Sequence, residues 1–103
     1  MSTEEEFEVA CYEAIDECRR LKPPYQPTAW IQMIARHGAV EAARRLVVNS
    51  EIQSGFKELV TRNRVDLTIE SAILNPRWNR LFSPEVKDAA RWRLLQAGAS
   101  EPS

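Results

Sequence analysis

The chain has 103 residues, room for one small domain and too few for two. Fourteen lysines and arginines stand against fifteen aspartates and glutamates, a net charge of −1, and 44% of residues are hydrophobic, which excludes a disordered tail. No apolar run approaches the roughly 20 residues of a membrane helix, and the acidic opening MSTEEEFE is unlike a signal or transit peptide, so a cytoplasmic protein with no membrane partner is expected.

Thr3-Glu4-Glu5-Glu6 reads as a capping box, with Thr3 as N-cap, Glu6 reaching back and acids at the positive end of the dipole. Phe7, Ala10, Cys11, Ala14, Ile15, Cys18 and Leu21 then recur at three- and four-residue steps, within an arc of about 140°. A first helix over 4–21 follows, closed by Arg19 and Arg20 where cations are favoured. Pro23, Pro24 and Pro27 make the next segment a stiff, extended connector.

A second helix is expected from Thr28 to His37, ending at Gly38, and a third over 39–49, stopped by Asn49-Ser50. A fourth, over 53–62, aligns Phe56, Leu59 and Val60, with Asn63 as a left-handed stop. Asp66-Leu67-Thr68 opens a short fifth helix that Pro76 limits, and 77–82 reads as one turn and a loop. Ser83-Pro84-Glu85 is an N-cap, an N1 proline and a first-turn acid, so a last helix runs over 84–97 to Gly98. The fold class is therefore all-α, a single compact domain of about six short helices over 1–103, with 1–3 and 99–103 frayed.

Charge is divided along the chain. Residues 1–18 hold seven acids and no base, and the remainder holds fourteen bases, eleven of them arginine, against eight acids. The simple expectation is an acidic helix packed beside the basic remainder and partly neutralised by it. Cys11 and Cys18 are the only cysteines. Seven residues of helix separate them by about 10.5 Å, beyond the roughly 7 Å that a disulfide tolerates. They read as small buried apolar residues in a reducing compartment.

The chemistry-bearing residues are sparse. His37 is the only histidine, and its place at a helix C-terminus is that of a cap. Gly38, Gly55 and Gly98 are isolated, so no phosphate-cradling loop is present. Two cysteines and one distant histidine make no metal set. No catalytic residue, cofactor or metal ligand is expected, and the chain reads as non-enzymatic.

Two partner surfaces remain. The outward side of the first helix carries Glu8, Glu13, Asp16 and Glu17 around Tyr12, a single-sign surface that folding does not require. It would suit a basic protein partner, with electrostatic steering of association. The alternative is a basic face of Arg44, Arg45, Arg77, Arg80 and Arg91, interleaved with Trp78 and Trp92. The segment around Gly38, with Arg36, Arg44 and Arg45, also has the outline of a helix-turn-helix. Nucleic acid is thus the second partner class, by DNA binding or DNA mimicry. Trp78 and Phe82 are assigned to the core. Arg93 falls inside the apolar arc of the last helix, and Asp66 is the candidate acid to meet it.

The second half carries a resemblance. Gly55-Phe56, Arg64 to Leu74 (RVDLTIESAIL), Pro76-Arg77-Trp78, Leu81-Phe82 and Ala90 to Leu94 (ARWRL) are similar to a family of small uncharacterised bacterial and phage proteins. Their pattern is GF, a GRLDLT-like stretch, VL-x-P, W-x-x-LF and AR-x-RL, with Asn63 here where the family commonly has glycine. Tyr25 to Leu46 matches more loosely. The resemblance implies a helical fold and a setting beside DNA-processing, phage or defence genes, and it carries over no activity. The reading as a whole is a protein-interaction or regulatory module of bacterial or phage origin.

Overall fold

The first helix, α1, spans Thr3–Arg20 in the computed structural model, which describes residues 2–48 and 54–98. Its capping box lies one residue earlier than the sequence suggests. The Ser2 hydroxyl accepts the Glu5 backbone N–H at 3.1 Å, and the Glu5 carboxylate accepts the Ser2 N–H at 3.0 Å. Ser2-Glu5 and Thr3-Glu6 are chemically equivalent boxes, so spacing alone does not fix the frame. With Ser2 as cap, Glu6 is released, and its carboxylate meets Arg77 at 3.1 Å. Ser2 and Thr3 are thus the cap and first residue of α1, while Met1 and 99–103 lie outside the described residues.

Helices α2 (Thr28–His37) and α3 (Ala39–Val48) are joined by Gly38 alone, at φ 82°. That positive φ suits a residue without Cβ. The Gly38 N–H donates to the Ile34 carbonyl at 2.8 Å, and the Ala42 N–H donates to the Gly38 carbonyl at 3.0 Å. One residue therefore serves both helix ends. The expected Asn49-Ser50 stop lies outside the described residues. Helix α4 (Ser54–Thr61) is followed by Asn63 at φ 61°, the left-handed stop that its sequence position implies.

A 3₁₀ turn at Val65–Leu67 leads into α5 (Ile69–Leu74). Thr68 caps α5, its hydroxyl accepting the Ser71 N–H at 3.1 Å and donating to the Val65 carbonyl at 2.7 Å. A second 3₁₀ segment, Pro76–Leu81, connects to α6 (Pro84–Gln96), which starts from Ser83 and Pro84 as expected. No strand occurs among the described residues, and the fold is all-α. The Cα radius of gyration is 12.5 Å. One compact domain of 100 residues has about 13 Å, so the six helices form a single body. No helix among the described residues is long and apolar enough to cross a membrane.

Phe7 is the pivot of the core. It is fully buried and meets Trp78 and Phe82 edge-on, at ring-centroid distances of 5.5 and 5.3 Å. Trp78 and Phe82 are therefore core residues, as read. Helix α3 buries Ala39, Ala42, Ala43, Leu46 and Val47, and its alanines present little bulk to its neighbours. A smaller cluster of Cys18, Leu59 and Leu67 lies beneath Leu21 and Tyr25 of the proline connector. Arg62 ties that region together, donating to the Pro23 carbonyl and pairing with Glu58 at 2.8 Å.

Candidate functional site

On α1, Glu13 and Asp16 are exposed, and Glu8 and Glu17 are half-buried. Tyr12 is exposed, and so is Val9 one turn before it. The helix balances part of its own charge: Asp16 pairs with Arg19 at 3.3 Å and Glu17 with Arg20 at 2.7 Å. Among the described residues, Glu6–Arg77 is the pair that joins residues 1–18 to the fold beyond α1. Glu4, Glu8 and Glu13 have no ion pair among the described residues. Together with Glu5, Glu41 and His37, Glu4 and Glu8 border a shallow groove of about 320 Å³ beside the Gly38 joint. Glu41 in that groove is held below the usual carboxylate range, first by its hydrogen bond from Arg44 and then by that from Arg45. The Glu5 carboxyl is also lowered, by the backbone and hydroxyl of Ser2.

The arginines expected to form a basic face are mostly engaged with acids. Arg44 and Arg45 close on Glu41 at 2.6 and 2.7 Å. Arg91 pairs with Asp88 at 3.0 Å. Arg77 lies 4.5 Å over the Trp78 ring while reaching Glu6. Arg80 is exposed.

Helix α6 buries Val86, Ala90 and Leu94 but departs from the usual arrangement around Arg93. Arg93 is 3% exposed, whereas Trp92 is 55% exposed and Leu95 72%. The acid that meets Arg93 is Glu70, at 3.2 Å, and not Asp66. Asp66 lies in the 3₁₀ turn and is taken by Arg64 at 3.1 Å. Glu70 sits within α5, two residues past its cap, so the helix carries its carboxylate inward toward α6. Burial pushes the Glu70 carboxyl above its ordinary value, against its own backbone N–H and Arg93, which favour the charged form. Arg93's place in the apolar arc signalled a buried base. The same wheel puts Trp92 and Leu95 on the opposite side, and that was the signal for this exposed apolar patch.

Cys11 and Cys18 are buried free thiols, as expected. Burial, and next the charge of Glu8, pushes Cys11 up to about 12. Among the described residues, no group of three or more His, Cys, Asp or Glu side chains could hold a metal ion.

A second concavity was not legible in the sequence. It is a cleft of about 480 Å³ bounded by the proline connector, α2, α3, α4, the first 3₁₀ turn and α5. Its apolar wall includes Trp30, Leu46, Phe56 and Leu67, and Glu70 lies at its edge. Trp30 is 4% exposed, and its Nε1 is buried without a hydrogen-bond partner. Such a donor costs about 1–3 kcal/mol when left unmet. The sequence marked Trp30 as an apolar helix residue, and nothing in its spacing indicates that the indole N–H lacks an acceptor.

No family model, curated protein or solved structure matches the chain.

Proposed function

We propose that the protein is a small non-enzymatic interaction or regulatory module that binds another protein, with α6 as the anchoring surface. The observation that carries this reading is the exposure of Trp92 and Leu95, one turn apart on the outer side of a well-packed helix. Tryptophan is enriched at the centres of protein interfaces, because a large flat apolar surface meets its partner with little loss of rotamer freedom. The neighbouring Arg91 gives the patch a charged rim. In this reading the chain is a cytoplasmic protein of bacterial or phage origin, one of the small helical proteins that its second half resembles.

The test is a Trp92→Glu/Leu95→Glu double variant, measured by calorimetry against the partner recovered with the parent chain. An affinity loss of about a hundredfold or more, with an unchanged melting temperature, is expected. Equal affinity would refute α6 as the anchor.

The groove beside Gly38 favours a second reading. Glu4, Glu5, Glu8 and Glu41 gather there, and Tyr12, Glu13, Asp16 and Glu17 extend the acidic face along α1. This surface suits a partner with a basic cleft, including one that ordinarily holds DNA. Direct DNA binding through Arg80 and the other arginines predicts a gel shift that weakens steeply between about 50 and 200 mM salt. Mimicry predicts no shift, and slower partner association when Glu8, Glu13 and Glu17 are changed to Gln.

A further inference from the structure

The outward side of α6 has an order along its length. It begins with two exposed acids, Glu85 and Asp88, and ends with exposed Trp92 and Leu95. At about 100° per residue these four side chains share an arc of about 80°. Arg91 flanks the arc on one side and pairs with Asp88 at 3.0 Å, and exposed Gln96 flanks it on the other. The helix ends at Gln96, so the apolar pair occupies its last turns.

Two such faces are complementary in one orientation. Parallel, they would set Glu85 on Glu85 and Asp88 on Asp88. Antiparallel about a two-fold axis, every contact between two residues is made twice. With the axis midway between positions 92 and 95, each Trp92 lies over the Leu95 of the other copy. The acids of each copy then reach past the end of the other helix and do not oppose one another. Arg91 comes beside the last turn of the other α6, where free carbonyls and the negative end of the dipole favour a cation.

We propose that the first occupant of the α6 face is a second copy of this chain, in a weak antiparallel dimer that sets Trp92 on Leu95 across a two-fold axis. The inference rests on the reading of α6 as a protein-binding surface and adds a competitor to it, because any other partner must displace the second copy. Patch size sets the strength. Two apolar side chains cover on the order of 300 Å² per copy, well below the roughly 800 Å² per partner of a standard interface. Such a dimer forms at high concentration, comes apart on dilution and yields to a larger partner.

Sedimentation equilibrium from about 10 µM to about 1 mM covers the range expected of so small an interface. The average mass should climb from 11.8 kDa toward twice that value. Trp30 and Trp78 are buried, so the solvent-exposed part of the tryptophan emission belongs to Trp92 and should move to the blue over the same range. Trp92→Glu/Leu95→Glu should stay monomeric throughout. Cys11 and Cys18 are buried, so single added cysteines report the arrangement. Along the helix axes the two positions 96 lie about 7.5 Å apart in this dimer, and the two positions 85 about 25 Å apart. A short bis-maleimide should therefore join two copies of Gln96→Cys and leave Glu85→Cys uncoupled. A monomer at every concentration, association that survives the double variant, or coupling through Glu85→Cys instead of Gln96→Cys would overturn the proposal. A monomeric parent whose partner still requires Trp92 and Leu95 overturns the dimer and leaves the α6 reading standing. A dimer whose parent chain binds its partner without them upholds the dimer and removes that reading.

Discussion

Helices α1 and α6 stand at opposite ends of the described chain and obey opposite rules. Helix α1 hides one clean apolar stripe, Phe7, Cys11, Ile15 and Cys18, and turns most of its acids outward. Helix α6 hides an arginine and exposes a tryptophan and a leucine. The difference lies in what each helix packs against. Phe7 meets the rings of Trp78 and Phe82 edge-on, and those rings offer it no hydrogen-bonding or charged group. Arg93 meets α5, which supplies a carboxylate in a matching inward position. A buried base is tolerable there because the acid opposite is held on a helix of its own. The exposed patch has no such local explanation, and that is why α6 is the surface proposed to meet a partner.

The largest effect should come from breaking the apolar rule. Phe7→Ala removes the ring between Trp78 and Phe82, and urea denaturation should show a loss of about 4 kcal/mol. Next is the ionic rule. Arg93→Met strands Glu70 in the interior and should cost about 3 kcal/mol, whereas adding Glu70→Leu should restore most of that, since well-packed apolar replacements of buried ion pairs are often neutral or better. A double variant no more stable than Arg93→Met would mean that the pair is not what makes the site polar.

The same pair gives a pH signature. The Glu70 carboxyl is raised in the folded chain, so the folded state takes up its proton before the unfolded state does. Glu70 therefore weighs against stability above its raised folded pKa. As pH falls from there toward about 4.3, the unfolded value, that penalty is relieved. Glu5 and Glu41 act the other way: their lowered carboxyls contribute stability above the unfolded value, and it is lost as pH falls through their folded values. Comparing the parent with Glu70→Gln at pH 7 and pH 5 isolates the first effect. The parent should gain relative to the variant on acidification, and a gap that moves the other way would reverse the sign assigned to Glu70.

A smaller loss is expected at Thr68, whose hydroxyl caps the helix that carries Glu70. Thr68→Ala should cost about 1 kcal/mol. The smallest effect belongs to the exposed patch. Trp92→Glu/Leu95→Glu should change stability by no more than about 0.5 kcal/mol, and a larger loss would make the patch part of the fold instead of an interface.

The helices themselves were legible because their start and stop signals are strong: three prolines after α1, glycine after α2 and Asn63 after α4 as stops, and Ser83-Pro84 as the start of α6. The buried thiols followed from the stripe of α1. What the sequence hid was choice among equals. Ser2 and Thr3 could each cap, and Asp66 and Glu70 could each answer Arg93. Tertiary placement decides both, through the reach of Arg77 to Glu6 and of Arg93 to Glu70, while Asp66 is taken locally by Arg64. The Trp30 cleft was beyond reach for another reason. Concavity arises where several elements fail to close over one another, and no local pattern records that.

The joint at Gly38 carries a consequence for how this chain can vary. Helices α2 and α3 meet through one residue, with no slack between them. A single inserted residue that extended α3 would turn it by about 100°, carrying Ala42, Ala43, Leu46 and Val47 off the core. Deletion would pull the two helices into each other. The connector between α1 and α2 exposes Lys22, Pro23, Pro24 and Gln26, and a change of length there leaves the turn of both helices about their axes unaltered. Length differences among related chains should therefore collect between Leu21 and Pro27, and the spacing from Trp30 to Leu46 should be the same in all of them.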